Sequence, residues 1–163
     1  RADIASPLRV ISVGSLIWRK GYEFALQAVA LLKAQGVPVQ YEIIGSGKER
    51  STVIYTIHDF GIEECVTLSG QLPPEAVLQH LQQSDAFLLA SLSEGVSNAA
   101  LEAMACGLPV VTTDCGGMRE AVVDGLDGFV VLPRDHAAIA QALRDPGNLF
   151  LRCGGIDDGE LRG

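Results

Sequence analysis

Short apolar runs that end at glycine alternate with stretches of helical periodicity along most of the chain, and no other feature narrows the fold so far. Residues 8–13 form a β-branched run that closes at Gly14 and reads as a buried strand. Residues 22–33 then space Phe24, Ala25, Ala28, Val29, Leu31 and Leu32 with helical periodicity, and Gly36-Val37-Pro38 stops them. The same alternation gives strands at 39–44, 66–68, 86–90, 110–113 and 129–132. Helices are predicted at 48–60, 74–83, 98–106, 119–123 and 135–144, the last capped by Asp135. Strand–helix units of this length call for a parallel sheet with helices on both faces. Right-handed crossovers make that an α/β, Rossmann-like layer arrangement.

This pattern occupies residues 1–145, long enough for one domain with a substantial core. From Pro146 the character changes, with Gly147, Gly154, Gly155, Gly159 and Gly163 breaking any periodicity. Residues 146–163 read either as a native flexible tail or as a non-native end, and no function is assigned to them. The chain opens on Arg1 rather than Met and reads as a piece of a longer polypeptide.

Charge excludes one class of function. The formal net charge is −8, whereas sequence-independent nucleic-acid binding needs clustered Lys and Arg. No run approaches the ~20 apolar residues that span a bilayer, and no basic segment leads into an apolar one as in a signal peptide. The four cysteines, Cys65, Cys106, Cys115 and Cys153, lack Cys-x-x-Cys spacing, so neither zinc nor a disulfide framework is expected. A reducing cytoplasm is the natural compartment. His58, His80 and His136 have no metal-ligand partner at a useful spacing and read as surface or packing residues.

Ligands of open parallel sheets bind beyond the carboxyl ends of the strands. Four glycine-bearing loops fall at such ends: Gly14-Ser15, Gly45-Ser46-Gly47, Glu94-Gly95-Val96-Ser97 and Gly116-Gly117. Tight turns want glycine as well, so each loop alone is ambiguous; together on one edge they point to a site. Gly47-Lys48 is no phosphate-binding P-loop, because Glu49 stands at the Ser/Thr position and Glu42 at the first glycine. The third glycine of a dinucleotide fingerprint is missing too.

Within the third loop, Glu94 precedes a predicted helix and Glu102 lies about a turn into it, four residues beyond Asn98. Two readings stand. The pair can grip hydroxyls while the helix N-terminus around Ser97 and Asn98 takes an anion. Alternatively Asn98 caps the helix, Glu102 complements its dipole and Glu94 is a loop charge; under either reading Leu101, Met104 and Ala105 can face the sheet. Lys20, at the end of the first loop, is either a solvated lysine or a point charge for a diphosphate.

Val13-Gly14-Ser15-Leu16 with Lys20-Gly21, the Glu94-to-Glu102 spacing, the run Glu102-Ala-Met-Ala-Cys-Gly-Leu-Pro-Val-Val, and Gly116-Gly117 before Glu120 and Asp124-Gly125 resemble the C-terminal domain of group 1 (family 4) retaining glycosyltransferases of the GT-B fold. The resemblance runs from about Arg9 to Leu143 and implies one half of that fold, binding a nucleotide-sugar donor. It implies Glu94 as the catalytic-site carboxylate holding the sugar, and the backbone of Gly95, Val96, Ser97 and Asn98 on sugar and diphosphate. Glu102 would take the ribose, Gly14, Ser15 and Lys20 the diphosphate, and Gln71 and Leu72 the base. No metal or other cofactor is implied. Where many relatives carry Arg, this chain has Ser15, and Arg19 is the nearest cation that could substitute. The acceptor site would belong to an N-terminal domain absent from this chain, as would any membrane contact, so the chain alone is expected to be inactive. Two further readings are a non-catalytic interaction module on the same fold and a nucleotide-sugar epimerase.

Overall fold

A computed structural model describes residues 6–144; the expectation for residues 146–163 lies outside them. Six strands form one sheet: β1 (Leu8–Val13), β2 (Val39–Ile44), β3 (Val66–Gly70), β4 (Ala86–Leu89), β5 (Val110–Thr113) and β6 (Gly128–Val131). Every pairing is parallel and the order is β3-β2-β1-β4-β5-β6. This is the doubly wound order, in which the direction of winding reverses between β1 and β4.

The crossovers are α1 (Tyr22–Ala34), α2 (Arg50–Asp59), α3 (Pro74–Gln82), α4 (Asn98–Ala105) and α5 (Met118–Ala121), and α6 (His136–Arg144) follows β6. Successive strand residues point to opposite faces, so each strand feeds two cores. Val10, Leu88 and Val111 join α1, α2 and α6 through Leu26, Val29, Leu32, Val53 and Ile139. Ile11, Phe87 and Val110 join α3, α4 and α5 through Val77, Leu81, Ala100, Ala103 and Met118. Full burial of one such Leu, Ile or Phe stabilises by roughly 1.5–3 kcal/mol, so two cores on one sheet hold the strands in register. The sheet interior also carries a satisfied polar group: the Ser12 hydroxyl donates to the Leu88 carbonyl at 2.6 Å and lies 2.7 Å from the Tyr41 hydroxyl.

Helix ends follow their caps. Asp135 caps α6 as expected, accepting from the Ala138 N–H at 3.0 Å. For α4 the capping residue is Ser97, not Asn98: its hydroxyl accepts from the Ala100 N–H at 3.2 Å. The same helix corrects a second expectation. Ala100 and Ala103 are its buried residues, while Leu101 is 41% exposed and Ala105 is also exposed. Buried Ser97, whose N–H meets the Met118 sulfur at 3.2 Å, fixes the rotation of the helix, and two alanines let it lie close to the sheet.

Candidate functional site

The loops at the carboxyl edge are stitched to one another sideways. The Gly14 N–H donates to the Ile44 carbonyl and the Leu16 N–H to the Ser46 carbonyl, both at 2.9 Å, tying the loop after β1 to the loop after β2. The Leu92 N–H donates to the Arg19 carbonyl at 2.7 Å, tying the loop after β4 to the loop after β1. Glu94 and Gly116 form a parallel bridge between the loops after β4 and β5.

Several of these joints admit only glycine, Gly45 among them, where a Cβ would sit 1.9 Å from the Gly14 carbonyl oxygen. Gly21 ends the 3-10 turn Trp18–Lys20 with φ +66°, and a Cβ there would sit 1.8 Å from the Ala90 carbonyl oxygen. A Cβ on Gly116 would sit 1.7 Å from the Glu94 carbonyl oxygen. Backbone contact this close sets the side chains of neighbouring loops in fixed relation.

Lys20 and Glu94 come together as a result, from loops 74 residues apart. The Lys20 ammonium donates to Glu94 Oε2 at 2.6 Å, and both side chains are 17% exposed. The same oxygen accepts from the Ser91 hydroxyl at 3.1 Å. Ser91 is fully buried, and its carbonyl accepts from the Thr113 hydroxyl at 2.5 Å, so β5 braces the start of the β4 loop. Beneath the pair, the Tyr22 hydroxyl donates to the Gly14 carbonyl at 3.1 Å. Burial first, and then the charge of Glu94, pushes the Tyr22 phenol well above its ordinary range and keeps it neutral.

The remaining expected residues fall around this centre. Gly14, Ser15, Gln71 and Leu72 line one cavity of about 250 Å³, together with Gly45 and Ser46. Gly14 joins the cavity to the ion pair, since a Cβ on it would lie 3.6 Å from Lys20 Cε. Gly95, Val96 and Asn98 are exposed at the entry to α4. The Asn98 and Ala99 N–H groups there stand ahead of the intrahelical ladder, as the first amides of any helix do. Ser97 differs from its neighbours: it is buried, and both its hydroxyl and its N–H serve the cap and Met118. Glu102 is exposed on α4, on the same side as Asn98. Arg19 is also exposed, and its carbonyl is what binds the β4 loop.

Sequence reasoning missed Ser91, Thr113, Tyr22 and Met118. The one available signal was positional, because Ser91 and Thr113 stand at or just past the carboxyl ends of β4 and β5. It also missed the partner of His80, whose Nδ1 lies 2.7 Å from Glu42 Oε1. That carboxylate accepts from the Ser69 hydroxyl at 2.5 Å as well. A depression of about 240 Å³ surrounds Glu42 and His80, but it lies alongside the strands rather than beyond their ends. Among the described residues, no three His, Cys, Asp or Glu side chains are grouped to hold a metal. No described helix is long and apolar enough to cross a membrane.

The profile of the family described as glycosyl transferases group 1 matches residues 4–146. The amylovoran biosynthesis glycosyltransferase AmsK of Erwinia amylovora is 37% identical over 149 residues, which cover 88% of this chain and 37% of that protein. Among solved structures, the sucrose-phosphate synthase of Thermosynechococcus elongatus matches with a TM-score of 0.82 at 28% identity, over 94% of this chain and 40% of that one. Anabaena HepE, solved in complex with UDP-glucose, matches with a TM-score of 0.82 at 23% identity, over 92% of this chain and 42% of its own; that likeness speaks to fold alone. The chain thus spans about two fifths of the proteins it resembles. Its six-stranded parallel sheet is one Rossmann-like half of a GT-B architecture, and the chain belongs to the group 1 glycosyl transferases.

Proposed function

We propose that this chain is the donor-binding half of a retaining glycosyltransferase that moves a sugar from a nucleoside diphosphate to an acceptor. One observation carries the reading: Lys20 follows β1, Glu94 follows β4, and they meet at 2.6 Å across the crevice where the strand order reverses. That crevice offers a cation, a carboxylate and a helix N-terminus within one cluster of braced loops. A nucleotide sugar presents an anion and a set of hydroxyls to match them.

In this reading Lys20 and the first amides of α4 take the diphosphate, and Glu94 takes a sugar hydroxyl close to the reacting carbon. Glu102 takes the ribose, and the 250 Å³ cavity beside Gln71 and Leu72 takes the base. As the sugar–phosphate bond breaks, negative charge grows on the departing diphosphate. Lys20 and the α4 N-terminus would stabilise it without reorganising, so no metal is required. The acceptor is assigned to a second domain that closes the other side of the crevice, and the isolated chain then binds donor without turning it over. The free thiols of Cys65, Cys106 and Cys115 fit a cytoplasmic setting.

The test is an NMR titration of the chain with UDP, GDP and ADP. Amide shifts are expected at residues 14–20 and 94–99, with Lys20→Ala weakening the preferred nucleotide about tenfold, the ~1.4 kcal/mol of one charge-assisted contact. A folded sample showing no shifts at millimolar nucleotide would sink the reading. With the second domain restored, product of the same anomeric configuration as the donor is expected.

A further inference from the structure

Resting on the donor-site reading above, the geometry points to an exchange: a bound diphosphate recruits Lys20 away from Glu94, and Ser91 is the positioning residue that keeps the released carboxylate aimed at the sugar. A single oxygen, Glu94 Oε2, receives both the Lys20 ammonium at 2.6 Å and the Ser91 hydroxyl at 3.1 Å. Lys20 is thus held by a carboxylate oxygen that already has a second donor.

A diphosphate cannot engage Lys20 at full strength while Glu94 competes for it. It also brings negative charge beside a carboxylate that is only 17% exposed, where water screens little. Both costs fall if the lysine swings toward phosphate and the carboxylate retains another donor. Ser91 is placed to be that donor. It is fully buried, and the Thr113 hydroxyl fixes its backbone from the neighbouring strand, so it does not follow Lys20 when the lysine leaves. After Lys20 leaves, Ser91 still anchors Oε2, and the other acceptor sites of Glu94 take the sugar hydroxyl without a competing cation.

The exchange makes opposite predictions for two conservative variants, read by NMR or calorimetric titration of the 163-residue chain with UDP, and with uridine as a neutral probe. Glu94→Gln removes the competitor and the repulsion, so UDP binding tightens about fivefold while uridine binding is unchanged. Ser91→Ala removes the fallback donor, so UDP binding weakens about threefold. Ser91→Thr, which keeps the hydroxyl, restores most of the loss; a serine needed only for packing would not be rescued in this way. Unchanged or weaker UDP binding by Glu94→Gln overturns the exchange, as does tightening that uridine shares equally. Absence of UDP binding by the unaltered, folded chain would instead overturn the donor-site reading beneath it, and the exchange with it.

Discussion

Two glutamates in this molecule are dressed in nearly the same way. Glu94 accepts from Lys20 and Ser91; Glu42 is paired by His80 and Ser69. Both clusters bring residues together from distant parts of the chain, and both carboxylates are largely buried. They differ in where the sheet puts them. Glu42 lies within β2, facing α3, and its partners link that helix to two adjacent strands. Glu94 lies past the end of β4, at the crevice where winding reverses, on a loop whose backbone is clamped from both sides. Mid-strand, a carboxylate with two donors is a rivet. Beyond the strand ends, the same set of groups is a site.

That contrast can be broken most forcefully at Gly21. Its φ of +66°, and an Ala90 oxygen only 1.8 Å from where a methyl would stand, leave no place for alanine without moving backbone. Gly21→Ala should cost about 3 kcal/mol or more, from left-handed strain and the clash together. Thermal unfolding reads the loss, and a melt within about two degrees of the parent would refute the idea that this joint is rigid. Nucleotide affinity should fall in the same variant, while the Glu42 cluster, on the other side of β1, keeps its contacts.

A second effect, smaller, appears with alkali. Burial raises the Tyr22 phenol, with Glu94 adding to it, and burial raises Tyr41 in the same direction. Each folded-state value lies above the unfolded one near 10, so the stability they contribute is complete below about pH 10. It is lost as pH rises further, because the unfolded chain releases those protons first. Denaturant midpoints should show about 2–3 kcal/mol lost by pH 11, from both phenols together. Tyr22→Phe should remove the share belonging to the Lys20–Glu94 region and Tyr41→Phe the share from β2. If neither substitution flattens the profile, the two phenols are not the groups that titrate.

The smallest effect tests the rivet. His80→Gln loses a pair whose histidine is 36% exposed, and should cost about 0.5–1 kcal/mol in chemical denaturation. Its UDP affinity should stay within about twofold of the parent. A parallel loss of affinity would mean that Glu42 and the site are coupled through α3, and the comparison would fail.

The sheet was legible because short strands rich in β-branched residues alternate with helical stretches and mostly end near glycine. β1, β2 and β5 fall at the expected residues, and their buried side chains alternate between two cores. Boundaries shifted where tertiary contacts decide them. α2 starts at Arg50 rather than at 48, since the Glu49 N–H is held by the Leu16 carbonyl at 2.9 Å. The rotation of α4 was misjudged because periodicity alone ranks Leu101 above Ala100, whereas the close approach to the sheet needs the smaller side chain. Of the candidate site, the loops were legible from glycine spacing and from the resemblance. The pairing of Lys20 with Glu94 was not, because a contact between residues 74 apart leaves no local periodicity to detect. Ser91 and Thr113 carry no sequence signal beyond their place near strand ends, and only the sheet order makes them neighbours.

The sideways stitching of the edge has a practical consequence for anyone wishing to alter what the domain accepts. The β4 loop cannot be transplanted by itself from a relative, since its carbonyls and amides are fitted to Arg19, Gly21, Cys115 and Gly116 on the loops either side. A chimera that exchanges only residues 91–98 would inherit mismatched neighbours and lose order before it changed preference. Retargeting should therefore proceed either by single side chains on the existing frame or by moving three loops together as one cassette.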